Sequence, residues 1–208
     1  MISHALKIIA DELNTHFSTI QTSVEDMVIL GNVASLESQS GTEDVELRNK
    51  ILVSLVNLRE EKTLKTTAHS FANSQTLKTE YFNPPVFVNA FVLFTATTRN
   101  YERALTYLSR LIRFFQTKNI FTHLNSNVAI TGEFIAYDRL QKFKLIMDLY
   151  SPTFEELNHL WGTLGGRQHP SALYMMRLLE LKHHERTEGD RVIEEIESRF
   201  YTNTGTKN

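Results

Sequence analysis

The chain has no cysteine, which excludes disulfides, thiol nucleophiles and cysteine-ligated zinc and fits synthesis in the cytosol. It has almost no net charge, with 22 lysines and arginines against 24 aspartates and glutamates. No global electrostatic pull toward nucleic acid or an anionic membrane is therefore expected. Long apolar runs are also missing. The longest, Val86 to Phe94, is far short of the roughly 20 residues that a membrane-spanning helix requires. Asp11 and Glu12 interrupt the apolar N-terminal positions and no small-residue cleavage site follows, so no cleavable leader is expected. Internal repeats and low-complexity segments do not occur. With 208 residues, 41% of them hydrophobic, the expectation is one soluble domain that buries roughly 70% of its unfolded surface.

What is present is organised around the stretch from Pro84 to Phe121. Pro84-Pro85 cannot sit inside a helix and favours an extended entry. The run from Val86 to Phe94, β-branched and aromatic almost throughout, suits a strand covered on both faces. Polar, cap-competent residues from Thr97 to Asn100 follow, and then a helix over about Tyr101 to Thr117. Its expected apolar stripe is Tyr101, Ala104, Leu105, Leu108, Leu111, Ile112 and Phe115. A buried strand handing over to an amphipathic helix is the nucleus of a layered domain.

The flanking sequence adds elements to that pair. Ile2, Ala5, Leu6, Ile9, Leu13 and Phe17 share one side of a helix over about Ser3 to Phe17. Met27 to Leu30 reads as a strand continuing through Gly31-Asn32 into Val33-Ala34, with the glycine marking a bulge or a close backbone approach. Ser38 to Asp44 reads as a polar loop, and Ile51 to Leu58 as a second buried strand ending at Arg59. Thr63 to Asn83 shows no clear period, and a connection of that length is expected to be functional or mobile. Phe121 is expected to fold back onto the core, with strands at Val128 to Tyr137 and Phe143 to Leu149. In the latter, Phe143, Leu145, Met147 and Leu149 share a face. Thr153 and Glu156 match a capping box, whose helix reaches Trp161 and stops at Gly165-Gly166. A last strand spans about Leu173 to Leu181. Asp190 is placed as the cap of a short helix with Val192, Ile193, Ile196 and Phe200 on one side, too short to stand alone and so expected to dock. The expected class is α+β, a mixed or antiparallel sheet covered by helices, with residues 1–184 as the domain and 185–208 as an acidic amphipathic tail.

Signals of catalysis are weak. Leu164-Gly165-Gly166 follows a helix and has no Lys-Ser/Thr pair after it, unlike a phosphate loop. His159, His169, His183 and His184 lack ligand spacing, and adjacent strand residues such as the last two face opposite ways. No Gly-x-Ser-x-Gly elbow occurs. Trp161, beside Leu157, Leu160 and Leu164, reads as a core anchor. The chain is therefore not expected to be an enzyme or to hold a metal or cofactor. The main helix carries Arg99, Arg103, Arg110 and Arg113 within about a quarter-turn of one another. Such a face is an ordinary solvated surface, a phosphate-contacting surface, or a dock for an acidic partner such as the tail of another copy. Leu64, Phe71, Tyr81 and Phe82 are unusually apolar for a solvated loop. They either tuck under it or meet a partner.

A succession of short motifs then points to a family. Leu30-Gly31-Asn32-Val33, Ser54 to Glu61, Pro84 to Asn89, Leu93 to Ala96, Asn100-Tyr101-Glu102-x-Ala104-Leu105 and Ile112-x-Phe114-Phe115-Gln116 appear in order. Leu157-Asn158-x-x-Trp161-x-x-Leu164-Gly165-Gly166 and Pro170-Ser171-x-x-Tyr174 follow. From about Ile2 to Lys182 the chain resembles the N-terminal domain of the cap, or tail-terminator, proteins of extracellular contractile injection systems of the antifeeding-prophage and virulence-cassette type. The resemblance implies a structural, non-catalytic subunit made in the cytoplasm and built into a released particle. Its expected partners are copies of itself, in a homohexameric ring, and inner-tube and sheath proteins, with no nucleic acid and no membrane. Two alternatives stay open: a smaller cap-adaptor paralogue, and a nucleic-acid-binding module using the arginine stripe. The interface candidates are Leu64, Phe71, Tyr81, Phe82, the four arginines, and Val192, Ile193, Ile196 and Phe200 of the tail.

Overall fold

The apolar run after Pro85 becomes one of the three long inner strands of a six-stranded sheet. The computed structural model describes residues 1–20, 26–37, 47–64, 70–73, 78–81, 86–126, 138–181 and 187–191. In order, the elements are α1 (Ile2–Ile20), β1 (Val28–Leu30), a 3-10 turn (Val33–Glu37), β2 (Ile51–Glu60), a second such turn (Lys62–Leu64), β3 (Ser70–Asn73) and β4 (Lys78–Tyr81). Then come β5 (Val86–Ala96), α2 (Tyr101–Thr117), β6 (Ile120–Thr122), β7 (Lys144–Tyr150), α3 (Phe154–Thr163), β8 (Ser171–Leu181) and β9 (Thr187–Arg191). Met1–Leu64 with Val86–Leu181 forms one compact unit, and Lys65–Pro85 with Lys182–Asn208 forms another.

In the larger unit the strand order is β1-β2-β5-β8-β7-β6. All neighbours are antiparallel except β1 and β2, so the sheet is mixed and the class is α+β, as expected. Both faces of β5 are covered. On one face, Val53, Val92, Phe94, Tyr174, Met176, Leu145 and Met147 lie under Ile9, Leu13 and Phe17 of α1 and Leu111 and Phe115 of α2. The Phe115 ring sits 5.4 Å from that of Phe94 and 4.6 Å from that of Tyr174. Burial there pushes the Tyr174 hydroxyl up to about 12. The other face, with Leu52, Phe91, Leu93 and Leu173, is covered by Trp161 of α3 and Val33 of the first 3-10 turn.

Side-chain polar groups fix the ends. The Leu140 N–H donates to His4 Nδ1 at 2.8 Å, joining the start of α1 to the segment before β7. Asn14 reaches Val28 twice, its amide donating to the carbonyl and its oxygen accepting from the N–H, both at 2.8 Å. Thr153 and Glu156 form the reciprocal capping box. The helix closes when Gly166, at φ 82°, donates its N–H to the Trp161 carbonyl at 2.7 Å, a left-handed turn that suits glycine.

Several expectations are corrected. The first strand stops at Leu30, because Asn32 accepts the Ala34 N–H on its side chain and the Ser35 N–H and hydroxyl on its carbonyl, curling the chain into the 3-10 turn. Gly31 still marks a close approach, since a Cβ there would lie 3.1 Å from Leu47. β2 runs past Arg59 to Glu60, with a bulge between Leu55 and Asn57. Only its first half is buried, and Leu55 and Leu58 are exposed. Phe121 is fully buried in the core, as expected, and lies on the short β6. Thr63 to Asn83 is not structureless: β3 and β4 pair there, and β9 joins them in a sheet of order β3-β4-β9. Asp190 lies within β9 and caps no helix. The Ser38–Asp44 loop, the whole Val128–Tyr137 candidate strand and His183-His184 lie outside the described residues.

Candidate interface surfaces

The surface begins with α2. Asn100 caps it, accepting the Arg103 N–H at 3.0 Å. The buried face is Ala104, Tyr107, Leu108, Leu111, Phe114 and Phe115, which corrects the expected stripe: Tyr101, Leu105 and Ile112 are exposed. Two large rings turn the helix. Tyr107 meets Phe17 with ring centres 6.2 Å apart, and Phe114 meets His16 at 5.0 Å, both on α1. An isolated amphipathic pattern cannot report that second helix.

This rotation leaves two unlike flanks. One carries the arginines. Arg103 and Arg113 are exposed on it and Arg110 is half-buried, whereas Arg99, expected on the helix, is exposed just before the Asn100 cap and outside α2. A shallow depression of about 380 Å³ lies among Asn100, Glu102, Arg103, Thr106, Tyr107 and Arg110. Arg99, Arg103 and Arg113 have no ion-pair partner among the described residues. The other flank borders a groove of about 660 Å³, walled by Tyr101, Leu105, Ile112, Leu149, Pro152 and Leu157. The expected stripe missed it by assigning its helical wall to the core. Leu149 is likewise 54% exposed, because β6 pairs only with the first three residues of β7, leaving its end at the sheet's edge.

The other candidates are scattered. Leu64 ends the second 3-10 turn. In the smaller unit the register sets Phe71 opposite Glu80 and Ser70 opposite Tyr81, so the two aromatic positions belong to different faces of the hairpin. The same sheet sets Glu80 opposite Glu188 and Lys78 opposite Arg191. Phe82, Val192, Ile193, Ile196 and Phe200 lie outside the described residues.

Several titratable groups of the larger unit are engaged in structure. Glu61 accepts from the hydroxyl and N–H of Thr63 and from the Asn89 amide at 2.9 Å, which hold its carboxyl below its ordinary value. Asp148 pairs with Arg177. Burial first, then the N-terminal ammonium and Arg139, holds His4 below its ordinary value, with Asp11 opposing. His159 is exposed beside Glu155, and His169 lies by the buried Trp161. Among the described residues no three His, Cys, Asp or Glu are placed to hold a metal ion. Nor is any helix there long and apolar enough to cross a membrane.

Residues 4–195 match the family described as the Pvc16 N-terminal domain. No curated protein sequence matches. Among solved structures, the chain is similar to the sheath/tube terminator of the PVC extracellular contractile injection system in its extended state. The TM-score is 0.53 at 10% identity, covering 94% of this chain and 64% of that one. It is also similar to the tube-terminating cap of the anti-feeding prophage, with a TM-score of 0.51 at 13% identity, covering 91% of this chain and 60% of that one. At these identities the likeness concerns the fold, and the chain spans under two thirds of the length of either structure.

Proposed function

Because the chain belongs to the Pvc16 N-terminal domain family, we propose that it is a structural cap subunit that ends the tube of a contractile injection particle. The observation that carries the reading is the agreement of the family match over residues 4–195 with the folds of a sheath/tube terminator and a tube-terminating cap. In this reading copies close into a homohexameric ring at the end away from the baseplate. The ring blocks addition of tube subunits and holds the last sheath layer, using shape alone, without catalysis, cofactor, nucleic acid or membrane. A closed ring from one kind of subunit needs two unlike, complementary surfaces on each copy. The basic flank of α2 supplies one such surface. The segments bearing Leu64, Phe71, Tyr81, Phe82, Val192, Ile193, Ile196 and Phe200 are assigned to tube and sheath contact. The subunit is made in the cytoplasm and leaves it in the assembled particle.

The test is tube assembly in the presence of the purified protein, followed by electron microscopy. Tubes of limited length with a ring at one end are expected. Tubes that grow without limit, with the protein left in solution, overturn the reading.

A further inference from the structure

We infer that the turn after β6 in one copy inserts Leu124 into the apolar groove between α2 and the end of β7 in a neighbouring copy. This inference rests on the reading above that copies assemble, and it adds an apolar pair of surfaces to the basic flank of α2. It starts from a turn whose backbone is braced throughout. Asn125 accepts the Thr122 N–H on its side-chain oxygen at 2.7 Å and donates its amide to the Ile120 carbonyl at 3.0 Å. The Thr122 carbonyl accepts from the N–H groups of Asn125 and Ser126. Lys118 donates to the Asn125 carbonyl and to Glu12 of α1, both at 2.7 Å. So held, the turn leaves Leu124 85% exposed. An apolar side chain carried on a fixed backbone has little freedom left to lose on binding, which is what an interface anchor requires.

The groove supplies the receiving surface. Leu105, Ile112 and Leu149 are exposed in its walls, and no Asp, Glu, Lys or Arg lines it, so it accepts an uncharged, apolar side chain. The charges around the two surfaces are complementary. Lys142 and Lys144 are exposed and without an ion-pair partner among the described residues. The register sets Lys144 opposite Thr122, at the base of the turn. Beside the groove, α3 opens with the exposed Glu155 and Glu156, three and four residues after Pro152 of the groove wall. Lysines beside the leucine thus meet carboxylates beside the groove, which steers the encounter and fixes its orientation. The second copy follows from position. The turn lies at the start of β7 and the groove at its end, a separation of roughly 20 Å for a strand of that length. A braced turn cannot cross that distance to fill the groove of its own chain. The contact therefore joins unlike surfaces of two copies head to tail, the kind that can close into a ring.

Paired variants test this in the whole chain, read by sedimentation or native mass spectrometry. L124D blunts the turn and L105E/I112E charges the groove. Each should weaken self-association ~10- to 100-fold, the range for losing the burial of one large aliphatic side chain. Each variant keeps the surface that the other has lost, so an equimolar mixture should form one-to-one pairs and nothing larger. A wild-type chain that stays monomeric, undiminished association of either variant, or a mixture without pairs overturns the contact. L105Q gives the same comparison where the charged groove disturbs folding. It should weaken association less than L105E/I112E, and unchanged association overturns the contact. Raising salt should slow wild-type association but not that of K142E/K144E, whose side chains are exposed; an identical salt dependence overturns the placement of the turn beside Glu155. Uniform tube length together with unchanged self-association of these variants sinks this contact alone. Unlimited tube growth with the wild-type chain sinks the terminator reading instead.

Discussion

The two faces of the six-stranded sheet are built to different standards. The face under α1 and α2 is apolar throughout, with interlocked aromatic rings, and two long helices cover it. The opposite face is covered by the ten-residue α3, with Trp161 buried and Leu157, Leu160 and Leu164 partly buried, and by Val33 and Leu36 of a short 3-10 turn. The buried side-chain polar atoms without a partner in the described residues are Asn89 Oδ1, Thr95 Oγ1 and Trp161 Nε1. All belong to this thinner side, since Asn89 and Thr95 share the face of Phe91 and Leu93 along β5. One face alone has the means to hold the sheet. The other is patched locally, and local patches open separately from the whole.

The sharpest way to break that contrast is to truncate each side. Phe94→Ala, at a fully buried ring on the helix-covered face, should cost about 4–5 kcal/mol in denaturant unfolding. Trp161→Ala should cost about 3 kcal/mol, the lower end for such truncations, with amide protection lost in α3 and retained in β5 by hydrogen exchange. Equal loss of protection in both elements would erase the distinction. A smaller effect sharpens it. Thr95→Val removes a buried hydroxyl with no partner and should leave stability unchanged or raise it by up to about 1 kcal/mol. A clear loss would show the hydroxyl to be engaged.

The smallest effect is a pH drift on the helix-covered side. His4 titrates below its ordinary value of 6.5, so the unfolded chain binds the proton more readily than the folded one. Stability is then complete above pH 6.5 and falls as the pH drops through that value and the lower native one. His4→Gln should flatten this part of the melting-temperature profile; an unchanged slope would locate the acid sensitivity elsewhere.

Legibility in the sequence followed the range of the interactions. β5, α1, β7, β8 and the capping box of α3 are set by periodicity and by residues within a turn of one another, and each stands close to where it is expected. α2 was legible as a helix but not in its rotation, because Tyr107 and Phe114 are drawn by α1, about a hundred residues earlier. β6 and the β3-β4-β9 sheet could not be read locally. Their strands have three to five residues, too few to show alternation, and Tyr81 finds its partner at Thr187. Of the candidate surfaces, the arginine flank was visible as a spacing. The groove beside it was hidden, because Leu105, Ile112 and Leu149 read as core until the elements that would have covered them prove too short or too far round.

Asn14 presents its amide to β1 as a peptide group would, donating to the Val28 carbonyl and accepting from its N–H. The strand's outer rim is thereby occupied at the point where a foreign strand would start to pair. That single side chain occupies the N–H and the carbonyl of Val28, the pair that an added strand would need at this position.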